Sequence, residues 1–207
     1  MRVKRFMTWE PIVIDKEESV AKAYELLKKH GIKRLPVVDV NYRVVGIISN
    51  SDLRIFSDVE KSRLLMEKIK VKGLMTEDPV VVSPETLLED AIKIMRDNKI
   101  GGLPVVVDDK LVGIITEYDI FTAMLESLGA NKEGLRITFE MEDKPGNLAK
   151  VTNILAKHNV NIIAINSFKL KEKVNRDLIF LKLEDVKDKE LLEKELGEVS
   201  LEIRFWD

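Results

Sequence analysis

The sequence predicts an α/β protein made of two similar repeats, followed by an α+β domain of a different plan. Three observations carry this prediction. Residues 7–40 return at a shift of 68 positions, most clearly where Leu35-Pro36-Val37-Val38 becomes Leu103-Pro104-Val105-Val106. Within each copy, short apolar runs alternate with segments in which apolar residues recur at helical spacing. After Gly129, apolar residues instead alternate with polar ones, which is typical of half-buried strands.

The repeat continues in a further block, where the shift falls to 67 and Gly46–Asp52 becomes Gly113–Asp119. Two copies are too few for a solenoid. We therefore expect the copies to pair about a pseudo-twofold axis, because each copy can then bury its apolar face on the other.

Each copy predicts the element order β-α-β-β-α. The first strand is expected at Ile12–Ile14 in one copy and at Val80–Val82 in the other. The closing helix is expected to begin near Ser51 and near Glu117.

Polar residues predict where the first helix of each copy starts. Asp15, with Glu18 three residues later, has the spacing of a capping box. In the second copy, Ser83 is expected to cap the helix, and Pro84 suits the first helical position.

The C-terminal part predicts the order βαββαβ, the ferredoxin-like split βαβ plan. In its first strand, Leu135, Ile137 and Phe139 alternate with polar residues. The expected boundaries are 1–57 for the first repeat, 58–72 for a connecting helix, 73–128 for the second repeat, 129–134 for a polar linker and 135–207 for the C-terminal domain.

The composition excludes several classes of function. The 207 residues carry a net charge of −2 with both signs interspersed, so neither nucleic acid nor an anionic membrane is an expected partner. No apolar run approaches the ~18 residues of a membrane span. The absence of cysteine excludes thiolate catalysis, and two histidines leave little material for a metal site. Because no apolar stretch follows the basic segment Met1–Arg5, we expect no signal peptide and a cytoplasmic protein. A lack of glutamine beside abundant lysine and glutamate resembles the composition of heat-adapted proteins.

Both copies resemble CBS domains, and the pair resembles a CBS (Bateman) module. The motif that carries the resemblance is Gly-hydrophobic-hydrophobic-Ser/Thr-x-x-Asp after a Leu-Pro-Val-Val strand, and it ends at Asp52 and Asp119. The C-terminal domain resembles an ACT domain, with Asp143–Leu148 in its first loop. The order CBS–CBS–ACT is similar to that of acetoin-utilisation proteins of the AcuB type. The resemblance implies a regulatory protein rather than an enzyme, and the sequence shows no recognisable catalytic constellation.

The repeated block places a hydroxyl and a carboxylate where a strand gives way to a helix. An aspartate there can accept hydrogen bonds from both ribose hydroxyls, while the hydroxyl and the first-turn N–H groups suit a phosphate. Alternatively, each aspartate serves only as a helix cap. In CBS modules the Asp block of one repeat meets the first strand of the other, which implies two nucleotide sites. One would consist of Ser49, Ser51, Asp52, Pro79 and Val80, and the other of Thr116, Tyr118, Asp119, Pro11 and Ile12.

The copies differ just before the Leu-Pro-Val-Val strand. Lys33 and Arg34 match positions that face phosphates in CBS modules, but their counterparts in the second copy are Gly101 and Gly102. The second copy therefore brings no phosphate-binding cation, which puts equal occupancy of the two sites in question. Alternatively, Lys33 and Arg34 form a solvated pair. Tyr118 either stacks on a base or is an exposed helical tyrosine.

The first loop of the C-terminal domain predicts a carboxylate site. Gly146 permits a close backbone approach, and the N–H groups of Asn147 and Leu148 are expected to point out of a helix N-terminus. The resemblance to ACT domains implies an amino-acid site at a dimer interface, formed by this loop and the start of the second strand, Asn161-Ile162. Asp143 replaces the neutral amide that amino-acid binders often carry, so it would either meet an α-ammonium group or repel the carboxylate. Many ACT domains only dimerise.

These expectations describe a regulatory protein without a cofactor or a metal. Its ligand would be AMP, ADP, ATP or S-adenosylmethionine, and an amino acid would be a second ligand. We expect a homodimer, which could regulate a protein partner that the sequence does not identify. The alternative is a dimerisation scaffold that regulates a partner while its pockets stay unoccupied.

Overall fold

A computed structural model describes residues 1–56, 59–170 and 175–206 of the chain. The first repeat contains four strands and two helices, which are β1 (Thr8–Trp9), β2 (Ile14–Asp15), α1 (Val20–His30), β3 (Arg34–Val38), β4 (Val44–Ser49) and α2 (Val59–Lys68). The second repeat contains β5 (Thr76–Glu77), α3 (Leu88–Asn98), β6 (Gly102–Val107), β7 (Lys110–Thr116) and α4 (Glu117–Ser127). Short 3-10 helices lie at Val3–Arg5, Asp52–Ile55 and Val71–Gly73.

The two repeats exchange their first strands. The sheets have the orders β2-β3-β4-β5 and β1-β7-β6, so each contains one strand from the other repeat. Antiparallel pairing places Thr8 opposite Ile114, and Thr76 opposite Ile47 in the equivalent register. As a result, the chain segment that follows β1 lies beside the second repeat.

The first strand of each repeat was predicted at the wrong residues. Of the expected Ile12–Ile14, the sheet includes only Ile14, and of Val80–Val82 only Val82 forms a bridge, with Val105. A residue with a left-handed backbone precedes each segment, Glu10 with φ 47° and Asp78 with φ 45°. These residues turn the chain, and the proline that follows each cannot donate to a ladder.

The predicted cap of the first helix was also wrong. Helix α1 begins at Val20, and Ser19 is its cap because the Ser19 hydroxyl accepts a hydrogen bond from Lys22 N at 3.2 Å. Asp15 instead accepts from Glu17 N at 2.7 Å. This bond closes a local turn before the helix. Asp side chains often bind a nearby backbone N–H in such a turn instead of capping a helix.

In the second repeat, Ser83 and Pro84 likewise lie before the helix instead of starting it. The Ser83 hydroxyl accepts from Glu85 N at 3.2 Å, and α3 begins only at Leu88. The closing helix α4 begins at Glu117, as predicted. In the first repeat a 3-10 turn comes first, and α2 then lies within the expected connecting segment, of which residue 58 is outside the described residues.

Two pairs of equivalent side chains at the centre of the repeats are fully buried in both copies. Leu35 and Ile48 in the first repeat, and Leu103 and Ile115 in the second, have no exposed surface. Helices α1 and α3 each bury one apolar stripe, formed by Val20, Ala23 and Leu27 and by Leu88, Ala91 and Met95. The predicted α/β repeat architecture is confirmed.

The C-terminal domain is a four-stranded antiparallel sheet with two helices, which are β8 (Leu135–Glu142), α5 (Asn147–Lys157), β9 (Asn161–Lys169), β10 (Arg176–Glu184), α6 (Lys189–Gly197) and β11 (Glu202–Trp206). The strand order β11-β8-β10-β9 is that of the predicted ferredoxin-like plan. Ile137, Phe139, Leu155, Leu181 and Leu192 are among its most buried side chains.

A buried lysine binds the expected linker. The side chain of Lys182 on β10 is 3% exposed, and its Nζ donates to Gly129 O at 2.8 Å and to Lys132 O. The chain divides into two compact units at residues 122 and 123, so the expected linker 129–134 lies within the second unit. The sequence did not predict this contact, because a lysine at this position in a strand is equally consistent with an exposed polar face of the sheet.

Two kinds of feature are absent from the described ranges. Within them, no helix has both the length and the apolar character needed to cross a bilayer. Nor do three or more His, Asp or Glu side chains from these ranges gather where they could hold a metal ion.

Candidate functional site

A cavity of about 500 Å³ lies where β7 gives way to α4. It is lined by eight of the residues predicted to bind nucleotide, which are Pro11, Ile12, Lys33, Arg34, Gly101, Thr116, Tyr118 and Asp119. The strand exchange explains why Pro11 and Ile12 belong to this set. Strand β1 pairs with β7 and thereby brings both residues to the second repeat. The predicted composite site around Asp119 is thus assembled in one cavity.

Asp119 is fixed by the end of the strand that precedes it. Thr116 donates two hydrogen bonds to Asp119 Oδ2, one from its backbone N and one from its hydroxyl, both at 2.7 Å. The carboxylate also lies in the first turn of α4, where negative charge is favourable. Both bonds are accepted by Oδ2 and hold the Asp119 side chain in place. The other carboxylate oxygen, Oδ1, takes part in neither of them.

Asp52 has the same local geometry in the first repeat. Ser49 donates from its backbone N and its hydroxyl to Asp52 Oδ2, again at 2.7 Å for both bonds. The exposed Ser51 donates its backbone N–H to the Ser49 hydroxyl at 3.2 Å. Each aspartate therefore stabilises its turn by accepting from the residue three positions earlier, as the third residue of a capping box does, so neither is itself the N-cap. This role is compatible with ligand binding through the second oxygen.

Pro79 and Val80 follow β5 just as Pro11 and Ile12 follow β1. Strand β5 pairs with β4, the strand that ends at Ser49, in the register equivalent to that of β1 with β7. Val80 is 43% exposed. The first predicted site thus has the equivalent position in the fold.

Arg34 brings a partly buried positive charge to the cavity of Asp119. Its Nη1 atom is buried and has no hydrogen-bond partner among the described residues. Burial lowers the pKa of the Arg34 guanidinium, and the carboxylates of Glu117 and Asp119 oppose that shift. Because Arg34 lines the cavity, its guanidinium is placed to bind an anionic group there. Lys33 is exposed at the same cavity.

Two aromatic side chains lie on one face of α4 at the cavity. Tyr118 is 78% exposed and Phe121 is 62% exposed, and residues three apart on a helix are neighbours. Tyr118 therefore lines the cavity and is also an exposed helical tyrosine. Phe121, Glu117 and Glu10 line the cavity but were not predicted. The three-residue spacing from Tyr118 was the available signal for Phe121.

In the C-terminal domain, Asp143 is paired with a lysine. Lys169 Nζ donates to Asp143 Oδ2 and lies 3.0 Å from Asp177 Oδ1. Hydrogen bonds to Asp143 and Asp177 raise the pKa of the Lys169 ammonium group. The carboxylate that was expected either to meet a ligand ammonium or to repel a ligand carboxylate is thus held by an ammonium group of the protein.

The loop after Asp143 agrees only in part with the prediction. Gly146 has a φ of 87°, and the space beside its Cα is open. However, Asn147 N donates to Lys144 O at 3.2 Å, and its side chain donates to Glu142 O at 3.0 Å. The Asn147 N–H is therefore engaged instead of free for a carboxylate. Leu148 is 43% exposed on the first turn of α5.

Asn161 and Ile162 begin β9 as predicted, but they lie at the other end of the sheet from Asp143. On the shared neighbour β10, Glu142 pairs with Arg176 whereas Asn161 pairs with Glu184. Eight residues of strand correspond to roughly 26 Å at ~3.3 Å per residue. The loop and the start of β9 therefore do not form one site within a single chain, and the predicted site at a dimer interface needs the loop of one chain beside β9 of another.

Comparison with known proteins defines the class of protein. The family model of the CBS domain matches residues 3–57 and 71–126, which are more than half of the chain. The chain therefore belongs to the CBS-domain family. The family model of the ACT domain matches residues 135–200. Both resemblances seen in the sequence are confirmed.

Solved structures of CBS-domain pairs are similar to this chain. Acetoin utilization protein (AcuB) from Vibrio cholerae has a TM-score of 0.55 and 33% identity, covering 64% of this chain and 98% of that one. CBSX2 from Arabidopsis thaliana, in a complex with AMP, has a TM-score of 0.53 and 37% identity, covering 60% and 96%. The CBS domain pair of protein MJ0100, in complex with 5′-methylthioadenosine and S-adenosyl-L-methionine, has a TM-score of 0.51 and 30% identity, covering 60% and 99%.

Curated relatives include longer enzymes. Inosine-5′-monophosphate dehydrogenase from Korarchaeum cryptofilum is 34% identical over 175 residues, which are 79% of this chain and 35% of that protein. The Staphylococcus aureus enzyme is 38% identical over 113 residues, which are 53% of this chain and 22% of the enzyme. The chain thus spans about a third or less of the length of these relatives.

Proposed function

We propose that the chain is a regulatory protein that senses an adenosine nucleotide in the cavity of Asp119. The observation that carries this proposal is the meeting, in one cavity, of an anchored carboxylate, a helix N-terminus and a partly buried guanidinium. These are complementary to the ribose and the phosphate of a nucleotide. The AMP complex of the similar CBSX2 supports the same ligand class.

Each part of the ligand has a counterpart among the lining residues. Asp119 accepts hydrogen bonds from the ribose hydroxyls through Oδ1, because Oδ2 is already engaged by Thr116. Arg34 and Lys33 bind the phosphate. The backbone at Pro11 and Ile12 contacts the adenine edge, and the exposed Tyr118 covers a face of the base.

The Asp52 position is the second adenosine site of this proposal. Its aspartate is anchored by Ser49 as Asp119 is anchored by Thr116. Pro79 and Val80 take the places of Pro11 and Ile12. Binding at either position changes the geometry or the activity of a partner, and the ligand is released unchanged.

A homodimer belongs to the same proposal. On α2, Leu64 and Leu65 are 74% and 54% exposed, and on the edge strand β9, Ile165 and Phe168 are 41% and 53% exposed. An apolar edge strand favours pairing with a second strand. The same surfaces support the alternative of a dimerisation scaffold whose pockets stay empty. A monomeric mass by light scattering at tens of micromolar would contradict both.

An amino acid at the C-terminal domain remains a prediction. Asp143 is paired with Lys169, and Asn161 lies at the far end of the sheet. Two chains would have to combine to form such a site. Calorimetric titration of the common amino acids into the full chain tests it.

Thermal unfolding with AMP, ADP, ATP and S-adenosylmethionine tests the nucleotide proposal. At about 100 times the dissociation constant, a bound ligand adds about 2.7 kcal/mol to the free energy of unfolding. For a chain of this size the midpoint should rise by about 5 to 10 °C. GMP, with the same phosphate on a different base, is the matched control and should have a smaller effect.

No rise with any of the four compounds would refute the nucleotide proposal and favour the scaffold. An equal rise with GMP would refute the adenine contacts. Recovery of the nucleotide unchanged after incubation is expected of a sensor, whereas its turnover would contradict a regulatory role without catalysis.

A further inference from the structure

Gly101 and Gly102 lie against the guanidinium of Arg34. An added Cβ at Gly102 would lie 2.5 Å from Arg34 Nη1 and 2.8 Å from Arg34 Cδ. An added Cβ at Gly101 would lie 2.5 Å from Arg34 Nη2 and 2.7 Å from Glu117 Oε2. Neither glycine has a left-handed backbone, so conformational freedom does not explain them. They provide space, and we call this pair of residues the glycine seat.

The glycine seat breaks the symmetry of the two repeats. Arg34 and Gly102 are equivalent positions of the repeat, separated by the same shift of 68 residues. The guanidinium from the first repeat thus occupies the volume that a side chain at the equivalent position of the second repeat would need. The cation beside the two glycines is therefore Arg34, which belongs to the first repeat.

The Arg34 guanidinium lies at one of the two predicted nucleotide sites, the cavity of Asp119. The charges that act on it are the carboxylates of Glu117 and Asp119, both in the first turn of α4. Arg34 also lines the cavity of Asp119. The part of its guanidinium that faces the cavity is where a phosphate oxygen would accept a hydrogen bond.

We propose that the glycine seat holds Arg34 at the cavity of Asp119 and so selects a ligand with a phosphate there, while the Asp52 position takes an adenosine compound without one. This inference rests on the proposed nucleotide function. It assigns a different ligand class to each site. Gly101 and Gly102 are the positioning residues, since they act through Arg34.

Substitution of the seat tests the inference by calorimetric titration. In Gly102→Ala the added methyl group displaces the guanidinium, so AMP should bind about tenfold more weakly, as expected when a charged hydrogen bond is lost. Adenosine, which lacks the phosphate, should change by less than about twofold. Gly73→Ala is the matched control, because its added Cβ meets only Ile69 Cγ2, at 3.9 Å. It should bind AMP as the unmodified chain does.

A double-mutant cycle separates positioning from a general structural effect. Arg34→Ala should weaken AMP binding, and adding Gly102→Ala to that variant should have no further effect. The inference is overturned if Gly102→Ala leaves AMP binding unchanged, if it weakens AMP equally without Arg34, or if it weakens adenosine as much as AMP.

The unmodified chain gives an independent measurement that needs no variant. With AMP saturating its single site, 5′-methylthioadenosine should still bind with one equivalent per chain. Two equal AMP sites, or no 5′-methylthioadenosine bound beside AMP, would overturn the inference. Failure of the unmodified chain to bind any adenosine compound would instead refute the proposed function itself.

Discussion

The two nucleotide sites proposed for this chain have the same anchor and differ in their charge. The hydrogen bonds from Ser49 to Asp52 and from Thr116 to Asp119 have equal lengths. The difference lies in another part of each repeat, where Lys33 and Arg34 correspond to Gly101 and Gly102. A duplicated fold can thus keep its framework in both copies and still distinguish two ligands through a neighbouring pair of residues.

The largest expected effects test whether the two frameworks are equivalent. Leu35 and Leu103 are repeat-equivalent and fully buried. Leu35→Ala and Leu103→Ala should each lower the free energy of unfolding by about 3 kcal/mol, because each leaves a cavity in a packed core. Chemical denaturation of both variants measures this loss. A difference of more than about 2 kcal/mol, which is the spread of Leu→Ala losses between core sites, would mean that the repeats are not equivalent frameworks.

The next largest expected effect, on AMP binding, tests the difference in charge between the two nucleotide sites. Arg34→Met should weaken AMP binding about tenfold, which is about 1.4 kcal/mol, and should leave adenosine nearly unchanged. The difference between the two ligands should shrink only slightly at high salt, because a partly buried charge is screened much less than an exposed one. Titrations at two salt concentrations measure it.

Arg63→Met is the control for a general effect of charge. Arg63 is exposed on α2 and does not line the cavity of Asp119. The control should bind both ligands as the unmodified chain does. If Arg34→Met weakens AMP and adenosine by the same factor, Arg34 does not contact the phosphate.

A smaller effect tests the shared anchor. Asp52→Ala and Asp119→Ala each remove two hydrogen bonds at the start of a helical turn. Each should therefore cost about 1 kcal/mol of stability, as measured for helix caps. Thermal unfolding without ligand should give this loss for Asp52→Ala and a somewhat larger one for Asp119→Ala, which also removes a carboxylate that acts on the Arg34 guanidinium. A larger loss for Asp52→Ala would show that Asp52 has a structural role that Asp119 lacks.

The sequence predicted those parts of the fold that depend on contiguous residues. Strands β3 and β6 and the two Asp blocks were found because each is a local pattern that occurs twice. The resemblance to CBS modules implied that the first strand of each repeat meets the other repeat. The residues of the exchanged strands were not predicted, since β1 and β5 are two residues long and exposed. The sequence showed that Arg34 and Gly102 differ but could not show that they touch, because the two positions are far apart in the chain.

In the C-terminal domain, too, local patterns predicted the elements but not the contacts between them. Its element order was predicted from alternation and helical spacing. The separation of Asn161 from Asp143 follows from the register of β9 and β8 on β10, which no local pattern specifies. The pairing of Lys169 with Asp143 likewise depends on the register of β9 with β10.

Calorimetric titration of AMP into Asp52→Ala and Asp119→Ala tests the central claim most directly. Each variant should lose only about 1 kcal/mol of stability and stay folded, so a difference in binding reports the ligand site. Asp52→Ala should bind one AMP per chain with unchanged affinity, whereas Asp119→Ala should bind at least about tenfold more weakly, as expected when hydrogen bonds to a carboxylate are lost. Equal losses in the two variants, or a loss in Asp52→Ala alone, would contradict the assignment of AMP to the cavity of Asp119.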